Sequence, residues 1–301
     1  MSQKADSAVT DQRDRTVLWY SILITGVVAA SASATIIKVL HQERVPWLII
    51  GASRNFVACI CLLPFFLAGK WRQIVRLDLR EKGLVVISGV ILGFHFAMWI
   101  ISLQYTSVAS ATIFVTTTPI FVVLGSHYIL GEKVSPLIFI GIIISVIGGV
   151  LVVGADFGQF AGDVIALLGA IAVSAYILIG RKVRPKLHLV AYTFVVYSIA
   201  GITLALAAFA VGDSFFGYST RAYTMMVLLG LISSLIGHTS INFVLRHLRS
   251  YIVSVAILGE PVSATLLAFA FLGEIPEWLE VIGCAVMLLG IYLSIKYSST
   301  D

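Results

Sequence analysis

The chain has 301 residues, 59% of them hydrophobic and 12% charged, with a mean hydropathy of +1.02 and a formal net charge of +5. A soluble domain carries roughly twice that share of charge, so a water-soluble enzyme or nucleic-acid-binding domain is excluded. The apolar runs are continuous and about twenty residues long, whereas barrel strands alternate over about ten, so the chain is expected to cross the membrane as helices.

In chain order, residues 1–15 are a polar, mixed-charge segment expected to be a mobile cytoplasmic tail. Arg13 and Arg15 precede an apolar run that passes Ala32-Ser33-Ala34, the outline of a secretion signal. The run continues through Ile36 and Ile37, so it is read as a retained first span. Spans are predicted at Val17–Leu40, Trp47–Ala68, Leu84–Leu103, Ala109–Leu130 and Pro136–Val153. A second set follows at Val164–Gly180, Leu189–Val211, Ala222–Leu245, Tyr251–Leu272 and Pro276–Ile295. Between Trp71 and Lys82, apolar and basic residues mix, which fits either an interfacial helix or a solvated loop. Cys59, Cys61 and Cys284 all fall inside spans and read as small apolar side chains.

The two sets of five are related. Pro119 and Leu130-Gly131-Glu132 recur as Pro261 and Leu272-Gly273-Glu274, every position displaced by the same interval. The same offset carries Gly141 onto Gly283 and Gly148 onto Gly290. With the N-terminus inside, sixteen Lys and Arg fall on that side and only Lys38, Arg44 and Arg221 on the other; Arg54 lies within a span. That excess places both termini in the cytoplasm. Five helices per copy is an odd number, so the second copy enters the membrane upside down. Residues 16–154 and 155–301 thus read as two inverted five-helix repeats in an all-α polytopic membrane protein, with substrate held near the midplane between them.

Taken with the Glu260-Pro261 pair, Gly162-Asp163 opening the sixth span, Ala166, Leu167, Ala170, Tyr176 and Arg181-Lys182 behind it, and Pro46 followed by Arg54, the duplicated Pro-x11-Gly-Glu block resembles the EamA-type ten-helix exporters of the drug/metabolite transporter superfamily. The span lengths and an aromatic, largely uncharged pore look similar to that family's YddG-type amino-acid exporters. The stretch Ala30-Ser31-Ala32-Ser33 departs from the tryptophan often found midway along the family's first helix, and Thr118 stands where the second copy has Glu260. The resemblance implies a bacterial inner-membrane carrier with a small-molecule substrate and a lipid bilayer as its partners, no cofactor, and a monomeric state.

Polar groups within a span usually face a cavity or a partner. His95 and Trp99 lie four apart on the third span, and His238 and Asn242 four apart on its repeat mate, the eighth. Either these pairs face a shared cavity or each histidine satisfies a neighbouring carbonyl. Pro119 and Pro261 free a carbonyl one turn earlier and read as hinges or static kinks; Thr116, Thr117 and Thr118 supply hydroxyls beside the first. Glu260 is a candidate proton or amine site, or a permanent partner of Arg54 or a histidine. Arg54, beside Asn55, binds a substrate carboxylate or holds the bundle together. Trp99, Tyr105, Tyr176, Tyr192 and Tyr197 are candidate pore aromatics, while Glu132 and Glu274 read as loop caps.

These features predict a secondary carrier, not an enzyme, that exports small metabolites by alternating access, amino acids (aromatic ones included) being the expected class. Spans three, four, eight and nine, helped by one and six, are expected around the cavity. A polyspecific drug or cation efflux carrier is the alternative, and an intramembrane enzyme a weaker one: no Gly-x-Ser-x-Gly or His-Glu-x2-His motif is present, nor a phosphate-binding loop. No metal site is expected.

Overall fold

The structure is a computed structural model in which residues 2–106, 111, 114–115, 117–153, 160–272 and 275–298 are described. The predicted start of the fourth span at Ala109, the hydroxyl of Thr116, and Gly273-Glu274 lie outside these residues. The described elements are helices: α1 Ser2–Gln42, α2 Trp47–Phe65, α3 Trp71–Val75, α4 Leu79–Tyr105, α5 Thr118–Leu130, α6 Pro136–Val153 and α7 Phe160–Val183. They continue as α8 Leu189–Ala210, α9 Thr220–Leu228, α10 Thr239–Val244, α11 Ser250–Ile257, α12 Glu260–Leu272 and α13 Trp278–Ser298. A π-helical stretch, Leu229–His238, joins α9 to α10 into one span, and a two-residue turn at Leu258-Gly259 joins α11 to α12 into another. Among the described residues eight stretches are long and apolar enough to cross a membrane, and Thr118–Leu130 and Pro136–Val152 are two shorter apolar helices. The chain is an all-helical, multi-pass membrane protein.

The repeat seen in the sequence has a physical counterpart. Helix α12 starts and ends at the repeat images of the first and last residues of α5, and α13 starts at the image of the first residue of α6. Packing follows the same exchange. Helix α1 lies against the α9–α10 span, and its image α7 lies against α4. Helix α12 lies against α1, and α5 against α7. The pairs α2 with α8 and α6 with α13 map onto themselves. A contact pattern unchanged when the halves are swapped is the mark of a two-fold axis, here lying in the membrane plane.

The α6–α13 seam shows the inversion atom by atom. A Cβ added at Gly148 would lie 2.7 Å from the carbonyl of Gly283, and one added at Gly283 would lie 2.7 Å from the carbonyl of Gly148. Gly141 and Gly290 meet in the same way, so numbers rise along one helix as they fall along the other: the helices are antiparallel. In lipid there is no hydrophobic drive between helices, and close backbone approach at small residues supplies the packing instead. Ser145 Oγ donates to the carbonyl of Met287 at 3.1 Å across the seam, a contact between repeat mates.

Several boundaries shift by a few residues, and three of the differences have a local cause. Helix α1 extends back to Ser2, making the backbone of the expected tail helical; no Gly or Pro interrupts residues 2–17. Helix α4 begins at Leu79 instead of Leu84 because Asp78 and Glu81 form a capping box: Asp78 accepts from the Glu81 N–H at 2.7 Å, and Glu81 accepts from the Asp78 N–H at 3.2 Å. Only Trp71–Val75 of the Trp71–Lys82 segment forms a separate helix. Gly69, at φ 107°, turns the chain into it.

Candidate functional site

Between the halves lies a cavity with about 590 Å3 of space free of protein atoms, open solvent at its mouth included. Helix α1 contributes Ala30 and Ser33, α2 Arg54, and α4 His95, Phe96 and Trp99. The second half supplies Val173, Tyr176 and Ile177 from α7, His238 and Ile241 around α10, and Ile257 and Glu260 from the broken ninth span. Val115 completes the wall. A second compartment shares Ser33, Trp99, Val115, Ile257 and Glu260 with the first and runs on past Pro261 to Ala264. The six expected spans all contribute, and the second span joins them through Arg54.

Arg54 is 1% exposed, on a helix whose other buried residues are apolar or small apart from Asn55. Its Nε donates to Ser234 Oγ at 2.9 Å, and its guanidinium carbon stands 4.0 Å above the Phe96 ring. Its Nη2 has no hydrogen-bond partner among the described residues. Burying a cation with an unanswered donor costs several kcal/mol unless water or a ligand answers it. The expected permanent pair with Glu260 is not formed: both line the cavity, yet no ion pair or hydrogen bond joins them among the described residues. The π-helical stretch explains why Ser234 reaches Arg54. Widening the helix by one residue per turn brings Ser233 and Ser234 to the buried side of the span, a distortion common at functional sites.

His95 Nδ1 lies 2.9 Å from the Gly169 carbonyl, so Nδ1 carries the proton and donates, which leaves Nε2 as an acceptor in the neutral ring. His95 thus satisfies a helix carbonyl and lines the cavity at once. The His238 ring meets Phe96 edge-on, with centroids 5.2 Å apart. The third and eighth spans each present a histidine to one space.

Four expected site residues lie off the cavity wall. Asn242 is fully buried, donating to Tyr176 Oη and to the His238 carbonyl, the latter at 2.8 Å. Asn55 is fully buried too and donates to the Gly51 carbonyl at 2.7 Å. Thr117 Oγ1 donates to Phe114 O at 2.6 Å, and Thr118 is buried beside Ser174, whose hydroxyl donates to its carbonyl. Each sits one helix face away from the cavity, where the repeat offset alone could not distinguish them. Among the candidate aromatics, Trp99 and Tyr176 line the space. Tyr192 is bonded to Ser88 and Tyr197 to Thr239, while Tyr105 is half exposed.

Pro119 stands in the first turn of α5 and Pro261 in that of α12. Proline has no N–H for the carbonyl four residues earlier. Those carbonyls belong to Val115 and Ile257, which are repeat images of each other and both on the cavity wall. The ladder is broken openly at Ile257: Leu258 and Gly259 bond back to Val255 and Ala256, three residues away.

At the face rich in Lys and Arg a polar cluster joins the two halves. Glu132, just past the left-handed Gly131, accepts from Arg181 Nε at 3.0 Å, from Ser250 Oγ at 2.8 Å and from the Ser250 N–H at 3.2 Å. Arg181 also donates to the Leu245 carbonyl at 3.0 Å. On the same face Trp19 stacks on His247 at 4.7 Å. Reading Glu132 as a loop cap missed this, because its partners lie far off in sequence. Among the described residues no three His, Cys, Asp or Glu side chains converge to hold a metal ion.

An amphipathic cavity between inverted, membrane-spanning halves defines an integral membrane transporter. The chain belongs to the EamA-like transporter family, whose model matches residues 17–154 and 160–296, once per half. It is 26% identical over 222 residues to the uncharacterized transporter YdfC of Bacillus subtilis (strain 168), covering 71% of each chain. It is 21% identical over 240 residues to the pseudopaline exporter CntI of Pseudomonas aeruginosa (strain UCBPP-PA14), covering 75% of this chain and 83% of that one. A solved crystal structure superposes with a TM-score of 0.78 at 18% identity, covering 94% of this chain and 98% of that one, and so shares the fold.

Proposed function

We propose that this transporter exports small metabolites, amino acids above all, from the bacterial cytoplasm by alternating access. One observation supports this reading most. The cavity walls come from both halves, with His95 answering His238 and Val115 answering Ile257, so the site can face either side as the halves exchange packings. The Lys- and Arg-rich face is the cytoplasmic one in this reading, both termini lie there, and the conformation described is the inward-closed one. Residues 1–15 form a cytoplasmic segment, and 16–154 and 155–301 the two halves. Pro119 and Pro261 serve as hinges, and the carrier works as a monomer.

Small polar-apolar solutes suit a wall in which Arg54, both histidines and Glu260 interrupt aromatic and aliphatic surface. The named exporter among the relatives favours efflux over uptake. Counterflow in proteoliposomes tests the reading: vesicles preloaded with unlabelled amino acids are expected to accumulate a labelled one, and those preloaded with buffer are not. Equal accumulation in both would remove the amino-acid reading, and accumulation only with lipophilic cations would replace it with drug efflux.

A further inference from the structure

The cavity's polar groups are sorted by sign. Arg54 stands on the wall of the first compartment only, together with His95 and His238. Glu260, Val115 and Ile257 are shared with the second compartment, which has no basic side chain on its wall among the described residues. One end therefore offers donors and positive charge. The other offers a carboxylate and two residues whose carbonyls the prolines leave without their helical donor.

Neither charge is used up within the protein. Arg54 keeps Nη2 unpartnered although the residue is 1% exposed, and Glu260 makes no hydrogen bond or ion pair among the described residues. Two opposite charges left apart on one wall need a ligand that carries both complements. Around them the surface is apolar, with Phe96, Trp99 and Ile177.

We propose that the cavity is a zwitterion site in which Arg54 takes the solute's carboxylate and Glu260, with the carbonyls of Val115 and Ile257, takes its ammonium group. The solute's apolar body rests on Phe96, Trp99 and Ile177. Arg54 is already set for that contact, because Ser234 fixes Nε and Phe96 supports the guanidinium face, so its free edge meets a carboxylate at little entropic cost. The assignment rests on the carrier reading above and narrows it. A lone cation would meet Arg54 without a counter-charge, and a lone anion would meet Glu260.

Competition against labelled L-phenylalanine, in detergent binding and in proteoliposome counterflow, tests this. N-acetyl-L-phenylalanine, which lacks the cation, and phenethylamine, which lacks the anion, are each expected to compete at least tenfold more weakly than phenylalanine or leucine. In Arg54→Gln the preference for phenylalanine over phenethylamine should vanish, while that over the N-acetyl compound persists. Glu260→Gln should do the reverse. Arg54→Lys and Glu260→Asp, with partial discrimination, replace any variant that fails to elute as a folded species. If either derivative competes as well as phenylalanine, or if the variants lower affinity for all three alike, the zwitterion assignment is wrong although transport stands. If phenylalanine neither binds nor exchanges while another metabolite does, the assignment again falls and the carrier reading survives.

Discussion

Glu132, from the first half, and Arg181, from the second, lie 3.0 Å apart at the Lys- and Arg-rich face. The pair is partly shielded, with side chains 10% and 24% exposed, and Ser250 adds two hydrogen bonds to the same carboxylate. Charge-assisted bonds of this kind contribute about 1.5–3 kcal/mol. Such an energy, lost from one of two nearly balanced packings, changes their ratio about tenfold or more. Glu132→Gln is therefore expected to open this face. With Cys59, Cys61 and Cys284 replaced by serine and a cysteine placed at Ser33, an impermeant thiol reagent added from the basic face should label about tenfold faster in Glu132→Gln. An unchanged rate would show that the latch does not govern closure. The exchange Glu132→Arg with Arg181→Glu should rescue only in part, since it leaves the Ser250 N–H unanswered.

The prolines give a kinetic prediction. Pro261→Ala restores an N–H for the Ile257 carbonyl and lets α11 run into α12. The variant should bind substrate with similar affinity but exchange it severalfold more slowly. Pro119→Ala, at the image position, should act the same way. A change in binding with exchange unaltered would reverse the assignment of these residues.

Stability is expected to depend on the α6–α13 seam. Gly148→Val drives a side chain against the Gly283 carbonyl, 2.7 Å from its Cβ, and the Met287 backbone, so a loss of about 1–3 kcal/mol should appear as a lower melting temperature. Gly283→Val should match it. At Gly83 on α4 a Cβ meets nothing within 4 Å, and Gly83→Ala should be neutral or slightly stabilising. Equal melting of all three would deny the seam its role.

Acid should weaken the basic face. His188 caps α8 by accepting from the Val190 N–H at 3.3 Å, which requires a bare Nδ1. Desolvation, together with Lys70, Arg184 and Arg246, holds its pKa below the ordinary 6.5. His247 is lowered too, by desolvation and then Arg246, Arg184 and Arg181. The unfolded chain then takes up protons first as pH falls below 6.5, so their contribution is complete above that value and lost beneath it. His188→Asn keeps a cap and should flatten the fall in melting temperature between pH 7 and 5.5; a slope as steep as the parent's would rule out His188 as a source.

Much of this was legible in the chain itself. Hydropathy marks the spans, and the constant offset between the copies pairs them, so the cavity's place between the halves follows from the chain alone. What escaped depends on contacts distant in sequence. Arg54 and Ser234 are 180 residues apart, and Ser234 reaches it only through a π-helical distortion that has no periodic signature. Glu132 after Gly131 looks like an ordinary helix stop until Ser250, 118 residues on, is brought beneath it. Asn242 failed as a wall residue for the opposite reason. Spacing placed it on the face of His238, while the hydroxyls of Tyr176, on the wall, and of Tyr197 claim its amide.

The reciprocity of Gly148 with Gly283, and of Gly141 with Gly290, has a consequence for how such a chain can arise. Each of these glycine contacts is written twice, once in each orientation. A gene encoding only one half, inserted into the membrane both ways up, would meet its own inverted product there with the joint already made. Fusion of two copies would then have added a connection to a working handshake, after which the two hands were free to grow different.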